Sequence, residues 1–308
     1  MLSLPLTFKP ASRGQPDELR LLRNNFYLGS WQHVIDEALK GSEQKTDRQV
    51  LFYRAHIASN HAARAVAEIA PDAPADLQAV KLFAQYTVAA ANGNAADKAR
   101  AGQDMAELLK EGNNGLSSTV LTVAGSLLVA EERYAEALTT VVQSPRNLEC
   151  VALAIQCYLK LDRVELARRE VDKLKTWADD ATLAQLAEAW VNCFQGGEQS
   201  VLDSQYIFEE LASAKLSTGR LVAGLAICKM QAGKFPEAER ILVEGLARYP
   251  TDTDLLANLV VCSSAIGKPA DDVARIISTL KQLAPSHPLL EDMARKESLF
   301  ARAALRYQ

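Results

Sequence analysis

The residues able to do chemistry in this chain of 308 residues are few and poorly spaced for it. The four histidines are His33, His56, His61 and His287. His56 and His61 are five apart, so they do not share the i, i+4 face with which an H-E-x-x-H helix holds a metal, and no cysteine lies near them in sequence. Surface or packing roles are expected of all four. The five cysteines, Cys150, Cys157, Cys193, Cys228 and Cys262, fall within apolar helical patterns and make no C-x-x-C pair. Cys150 and Cys157 stand two turns apart on one helix, about 10.5 Å along its axis and beyond disulfide reach. All five read as small core residues, and an odd number suits a reducing compartment. "AGKF" and "IGKP" contain Gly-Lys but lack the upstream glycine and the following Ser or Thr of a phosphate-binding loop. "GNAADKARAG" is alanine-rich and has no strand before it, which excludes a dinucleotide fingerprint. The acidic pairs Asp179–Asp180 and Asp271–Asp272 are expected at helix starts, where a carboxylate caps free N–H groups. No catalytic residue, no cofactor and no metal ligand is expected, and a binding scaffold is favoured over an enzyme.

The elements that would have to position any site are helices. In "AGKFPEAERILVEGLARYP", Pro236 sits in a first turn where its missing N–H is harmless, and Glu237 and Glu239 suit the positive end of the macrodipole. Ala238, Ile241, Leu242 and Gly245 fall at i, i+3, i+4 and i+7, so small and apolar groups share one stripe that must be buried. "GRLVAGLAICKMQ" upstream makes a second helix, and the pair reads as a hairpin with Ala238 at its closest approach. The same design recurs with its marker at Ala137, Ala167, Gln205 and Val273. It spans about eight hairpins, followed by a final helix over 289–307. Thr182 and Gln185 are read as a capping box for one first helix, and Gly196, Gly197 and Gly267 as turn residues. Residues 17–308 are expected to form a single helical-repeat domain, and residues 1–16, with three prolines, a disordered leader.

Composition agrees with an all-α chain. Aromatic residues make up only 6% while alanine and leucine abound, as in helix-rich sequences. A net charge of −4 and an isoelectric point near 5.7 give no general attraction for nucleic acid or anionic lipid. No basic run, signal peptide or membrane-length apolar run is present.

The segment from Gly219 to Asp252 resembles a tetratricopeptide repeat, with Leu225, Ala226, Ala238, Leu242 and Pro250 at signature positions and Gly245 where alanine is usual. The fold expected from that resemblance is a curled α-solenoid of tetratricopeptide-like hairpins ending in a C-terminal helix. A more specific likeness is carried by strings that run in order from about residue 24 to 300: "NNFYLGSWQHVIDEA", "LFYRAHIA", "DLQAVKLFAQY", "LKLDRVELARREV", "DDATLAQLAEAWVN", then "GGEQ" and "YIFEEL". In these the chain resembles the coatomer epsilon subunit family. Residues 1–16 and 92–118 carry no matching string.

That resemblance implies a non-enzymatic coat subunit that binds and stabilises the C-terminal domain of the coatomer alpha subunit, and meets the other coat subunits through it. It implies work in Golgi-to-endoplasmic-reticulum and intra-Golgi transport, in the cytoplasm and peripherally on Golgi membrane and coated vesicles. No nucleic acid and no direct membrane insertion are implied. In the repeat family the inner wall comes from first-helix positions spaced i, i+4, i+7, which here are Ala223, Ile227 and Met230, then Ala257, Val261 and Ser264. These are mostly apolar, so the wall either closes around an apolar segment of the partner or packs on the chain's own repeats. A generic repeat adaptor or co-chaperone that captures a peptide is the alternative reading.

Overall fold

The computed structural model describes residues 18–40, 45–111, 115–213 and 217–306, which form seventeen helices and no strand. They run as eight hairpins: α1 (Glu18–Leu28) with α2 (Trp31–Ala38), α3 (Lys45–Ala58) with α4 (Ala62–Glu68), α5 (Ala75–Ala91) with α6 (Ala95–Glu111), and α7 (Ser118–Ala130) with α8 (Tyr134–Val141). Then follow α9 (Leu148–Lys160) with α10 (Val164–Ala178), α11 (Thr182–Gln195) with α12 (Glu198–Ser213), α13 (Gly219–Gln231) with α14 (Phe235–Arg248), and α15 (Thr253–Ile266) with α16 (Ala270–Leu283). A further helix, α17 (Pro288–Ala304), follows the last hairpin. The leader at 1–16 lies outside the described residues. Much of the stretch that matched no family string is α6.

One turn chemistry explains why the hairpins repeat. Gly29, Asn60, Gly93, Glu132, Asp162, Gly233 and Gly267 each sit between two helices of a hairpin with positive φ. A single left-handed residue ends the first helix and lets the chain reverse within a few residues. Behind the turns, Ala137, Ala167 and Ala238 are completely buried, as expected of the points where paired helices come closest. In the α11–α12 hairpin that role belongs to Ser204 and not to Gln205. Ser204 is fully buried and its Oγ donates to the Ala189 and Ser200 carbonyls at 3.2 and 3.0 Å, whereas Gln205 is only half-buried. The turn through Gly196 and Gly197, both at positive φ, holds two residues where most of the other hairpin turns hold three, and this shifts the register of α12.

Two capping expectations are corrected. The residue capping α11 is Ala181, with no side-chain bond, so Thr182 and Gln185 make no capping box. Asp179 ends α10, and Asp180 lies in the turn beyond it, while Asp271 and Asp272 do fall in the first turn of α16. Caps occur instead at Ser117, Asn147, Thr218 and Asp252, whose side chains accept from the first-turn N–H groups of α7, α9, α13 and α15. Packing between hairpins is close: a Cβ on Gly224 of α13 would stand 2.5 Å from the Phe208 ring of α12, so only glycine fits there. At the C-terminal end, α17 is tied down by Leu290, which packs with Leu256, Ala257 and Leu280. The helix makes no extended contact with any other, and Phe300 is 76% exposed.

Candidate partner-binding surface

The first helices of the hairpins form an inner layer. α1 lies against α3, α3 against α5, and so on through α9 against α11, and α13 packs along α15. Among the described first helices, the backbones of α11 and α13 alone stand too far apart for extended contact, and the two meet through side chains, Leu186 and Ala189 sharing an apolar cluster with Leu221 and Cys228. The N-terminal helix meets that joint from inside. α1 packs on α11 as well as on α3, so the layer from α1 to α11 closes on itself as a ring.

The closure is chemically specific. Tyr27 and Leu28 pack against Leu186, Ala189 and Leu221. The Thr218 hydroxyl donates to the Leu28 carbonyl at 2.5 Å across 190 residues of sequence. The Arg220 guanidinium stacks 4.7 Å from the Trp31 ring centroid, and its stem fills the space that a side chain at Gly29 would need. Burial holds that guanidinium below its ordinary pKa, with Asp254 and Asp252 pulling the other way. Tyr27 also ties α1 to α9, where the Glu149 carboxylate accepts from Tyr27 Oη and from Arg54 Nη1, both at 2.8 Å. Arg54 also lies 4.7 Å from the Phe26 ring centroid. The Arg54 and Glu149 side chains are each only 15% exposed. Burial alone would raise the Glu149 carboxyl, but the Arg54 charge and the two hydrogen bonds outweigh it and hold it below the usual range. The same burial, and then the neighbouring carboxylate, push the Tyr27 phenol upward. A cavity of about 300 Å³ remains inside the ring, lined in part by Arg20, Arg23, Tyr27, Arg54, Ser118 and Glu149.

The six wall positions fall into two groups. Ala223 and Ala257 are buried, Ala223 with Ala226, Ala238 and Leu242, and Ala257 with Leu256 and Leu280. They belong to hairpin packing, since a helix in a two-layer array buries both its sides and leaves only a narrow inner stripe. Ile227 and Met230 of α13 are half-buried, Val261 of α15 is 46% exposed, and Ser264 is exposed with its hydroxyl bonded to the Val260 carbonyl at 2.7 Å. These four lie on the two first helices beyond the ring that α1 closes. No periodic signal announces the ring itself: its contacts join residues 95, 122 and 190 apart.

Four of the cysteines are buried, as expected, and Cys193 is half-exposed. His56 is buried with Nδ1 unpartnered, His61 precedes α4 and His287 caps α17 through Nδ1, so these three pack or cap. Among the described residues, no group of three or more His, Cys, Asp or Glu side chains is arranged to hold a metal. No described helix is long and apolar enough to cross a membrane.

A two-layer array of helical hairpins with a partly apolar inner stripe defines a tetratricopeptide-type α-solenoid, a fold whose wall holds other chains. A tetratricopeptide repeat protein from Parabacteroides merdae superposes with a TM-score of 0.58 over 86% of this chain and 98% of its own, at 15% identity. A crystal structure of the APC/C hetero-tetramer Cut9-Hcn1 gives 0.59 over 91% and 55%, at 11% identity. Both likenesses concern the fold.

The family follows from sequence. The family model of the coatomer epsilon subunit matches residues 15–308. Coatomer subunit epsilon-2 of Arabidopsis thaliana is 35% identical over 291 residues, covering 94% of this chain and 96% of the relative. The subunit epsilon-2 of Oryza sativa subsp. japonica is 34% identical over 300 residues, covering 95% and 98%, and the epsilon subunit of Caenorhabditis elegans is 33% identical over 294 residues, covering 94% and 98%. The chain belongs to the coatomer epsilon subunit family. It is therefore a coat component built as a scaffold, and not an enzyme.

Proposed function

We propose that this chain binds and stabilises the C-terminal domain of the coatomer alpha subunit, with Ile227, Met230, Val261 and Ser264 on the contact surface and Ala223 and Ala257 shaping it from behind. In this reading it works in Golgi-to-endoplasmic-reticulum and intra-Golgi transport, reaches Golgi membrane and coated vesicles through the assembled coat, and meets the other coat subunits through alpha. The observation that carries the reading is membership of the family along nearly the whole chain. Its placement on α13 and α15 is supported by the closure of the earlier repeats on α1, which covers their inner side, and by the exposure of an apolar side chain, Val261, beyond it.

The experiment compares Ile227→Glu and Val261→Glu with the parent protein for affinity to the alpha C-terminal domain and for thermal unfolding. An interface anchor contributes roughly 1 to 4 kcal/mol, so each change is expected to weaken binding about tenfold or more. Val261→Glu is expected to leave the unfolding temperature nearly unchanged, because the side chain is already 46% exposed. Unaltered affinity of the folded protein for both variants would move the binding surface elsewhere.

A further inference from the structure

Cys193 and Cys228 stand one repeat apart, 35 residues, and therefore occupy neighbouring places on successive first helices. Their sulfurs are 3.7 Å apart, in direct contact across the joint between α11 and α13. Cys228 is fully buried and Cys193 only partly, so of the two residues Cys193 is the one with surface open to solvent. The remaining thiols are placed differently. Cys150, Cys157 and Cys262 are all buried. Cys150 contacts the Thr122 hydroxyl at 3.3 Å, Cys262 donates to the Phe235 carbonyl at 3.2 Å, and burial raises Cys157 to about 11.

We propose that Cys193 and Cys228 form an oxidative modification site, in which a hydroperoxide oxidises Cys193 and Cys228 resolves the product to a disulfide that clamps α11 to α13. In the first step the Cys193 thiolate attacks one peroxide oxygen and the O–O bond breaks. Cys193 becomes a sulfenic acid, and hydroxide leaves, taking up the proton that the thiol released. In the second step Cys228 sulfur attacks Cys193 sulfur, the S–O bond breaks, and the hydroxyl departs as water with the Cys228 proton. Two thiols lose two electrons and two protons, and hydrogen peroxide is reduced to two waters.

The order of steps follows from the pair's asymmetry. Either sulfur could donate in their contact; with Cys228 as donor, the bond lowers the Cys193 thiol, outweighing the burial that opposes it, while the same bond and its own burial raise Cys228. Cys193 is thus the nucleophile and the fully buried Cys228 the resolver. Closing the bond needs the sulfurs to approach from 3.7 Å to about 2.05 Å. The backbones of α11 and α13 stand farther apart than those of the other neighbouring first helices and side chains alone fill the joint, so the approach falls to the two cysteine side chains and a small shift of the helices. The joint is already bridged by one polar contact, Gln231 Nε2 donating to the Cys193 carbonyl at 2.8 Å.

The test is treatment of the purified full-length protein with hydrogen peroxide, followed by intact mass and non-reducing peptide mapping. The expected product is a monomer lighter by two hydrogens, with the Cys193 and Cys228 peptides linked, Cys193 no longer alkylated by iodoacetamide, and both changes reversed by dithiothreitol. Cys228→Ser should stop the reaction at a sulfenic acid on Cys193 that dimedone captures, and Cys193→Ser should abolish the mass loss. The wild-type map decides the matter if either variant fails to fold. Oxidation of Cys193 to sulfinic acid while Cys228 stays a free thiol would overturn the proposal. So would a Cys193-linked dimer, or no reaction under conditions where iodoacetamide does alkylate Cys193.

Discussion

Glu149→Leu is expected to destabilise the protein by about 3 to 5 kcal/mol, a large part of what holds a domain folded. The carboxylate accepts from Tyr27 and Arg54 at 2.8 Å each, where both charged side chains are only 15% exposed. Removing it leaves a guanidinium and a phenol without their acceptor in a place that water reaches poorly. The double change Arg54→Met with Glu149→Leu should recover most of the loss, since a buried ion pair replaced by apolar groups of similar size is often nearly neutral. Urea unfolding of the two single variants and the double variant measures this directly, as a coupling energy between α3 and α9. The pH dependence has a definite sign. Because the folded carboxyl lies below its ordinary range, its contribution is fully present above the unfolded carboxylate's pKa and is lost as pH falls through the folded value. Glu149→Gln should flatten that part of the acid-unfolding profile. Equal acid profiles for parent and variant would show that the pair does not tie α1 and α3 to α9.

Ala238→Arg and Ala167→Arg should each cost several kcal/mol, about as much as a full-sized core deletion. Both alanines are completely buried at the closest approach of a hairpin. An arginine there overfills the contact, which costs about 1 to 3 kcal/mol, and it also strands a charge among Leu242, Leu255 and Leu259 in the case of Ala238. Ala238→Val is the milder companion, since it overfills without adding charge. Urea midpoints unchanged for both arginine variants would refute the hairpin register.

What the sequence made legible is what repeats locally. The helix stripes, the turn residues and the marker alanines depend on neighbours a few residues away, so Ala137, Ala167 and Ala238 could be placed from spacing alone, as could the number of hairpins. Where the turn changes length, the same reasoning slips. Gly196 and Gly197 move α12 by one position, and Ser204 takes the place read for Gln205. Burial of Ala223 and Ala257 was hidden for a related reason: i, i+4, i+7 spacing marks one face of a helix but not how far the neighbouring hairpins encroach on it. The ring closed by α1 had no local signal, because Tyr27 with Glu149 and Leu28 with Thr218 are pairs of single residues far apart in the chain. Cys193 and Cys228 lie between these cases, since their separation by one repeat period predicts adjacency once the period is known.

The most direct measurement is calorimetric titration of the purified protein with the C-terminal domain of the alpha subunit from the same species, paired with light scattering of the mixture. A one-to-one complex is expected with Kd at or below about 1 µM, equivalent to roughly −8 kcal/mol, weakened about tenfold or more by Ile227→Glu or Val261→Glu. Two species that remain separate at concentrations about tenfold above that Kd would contradict it.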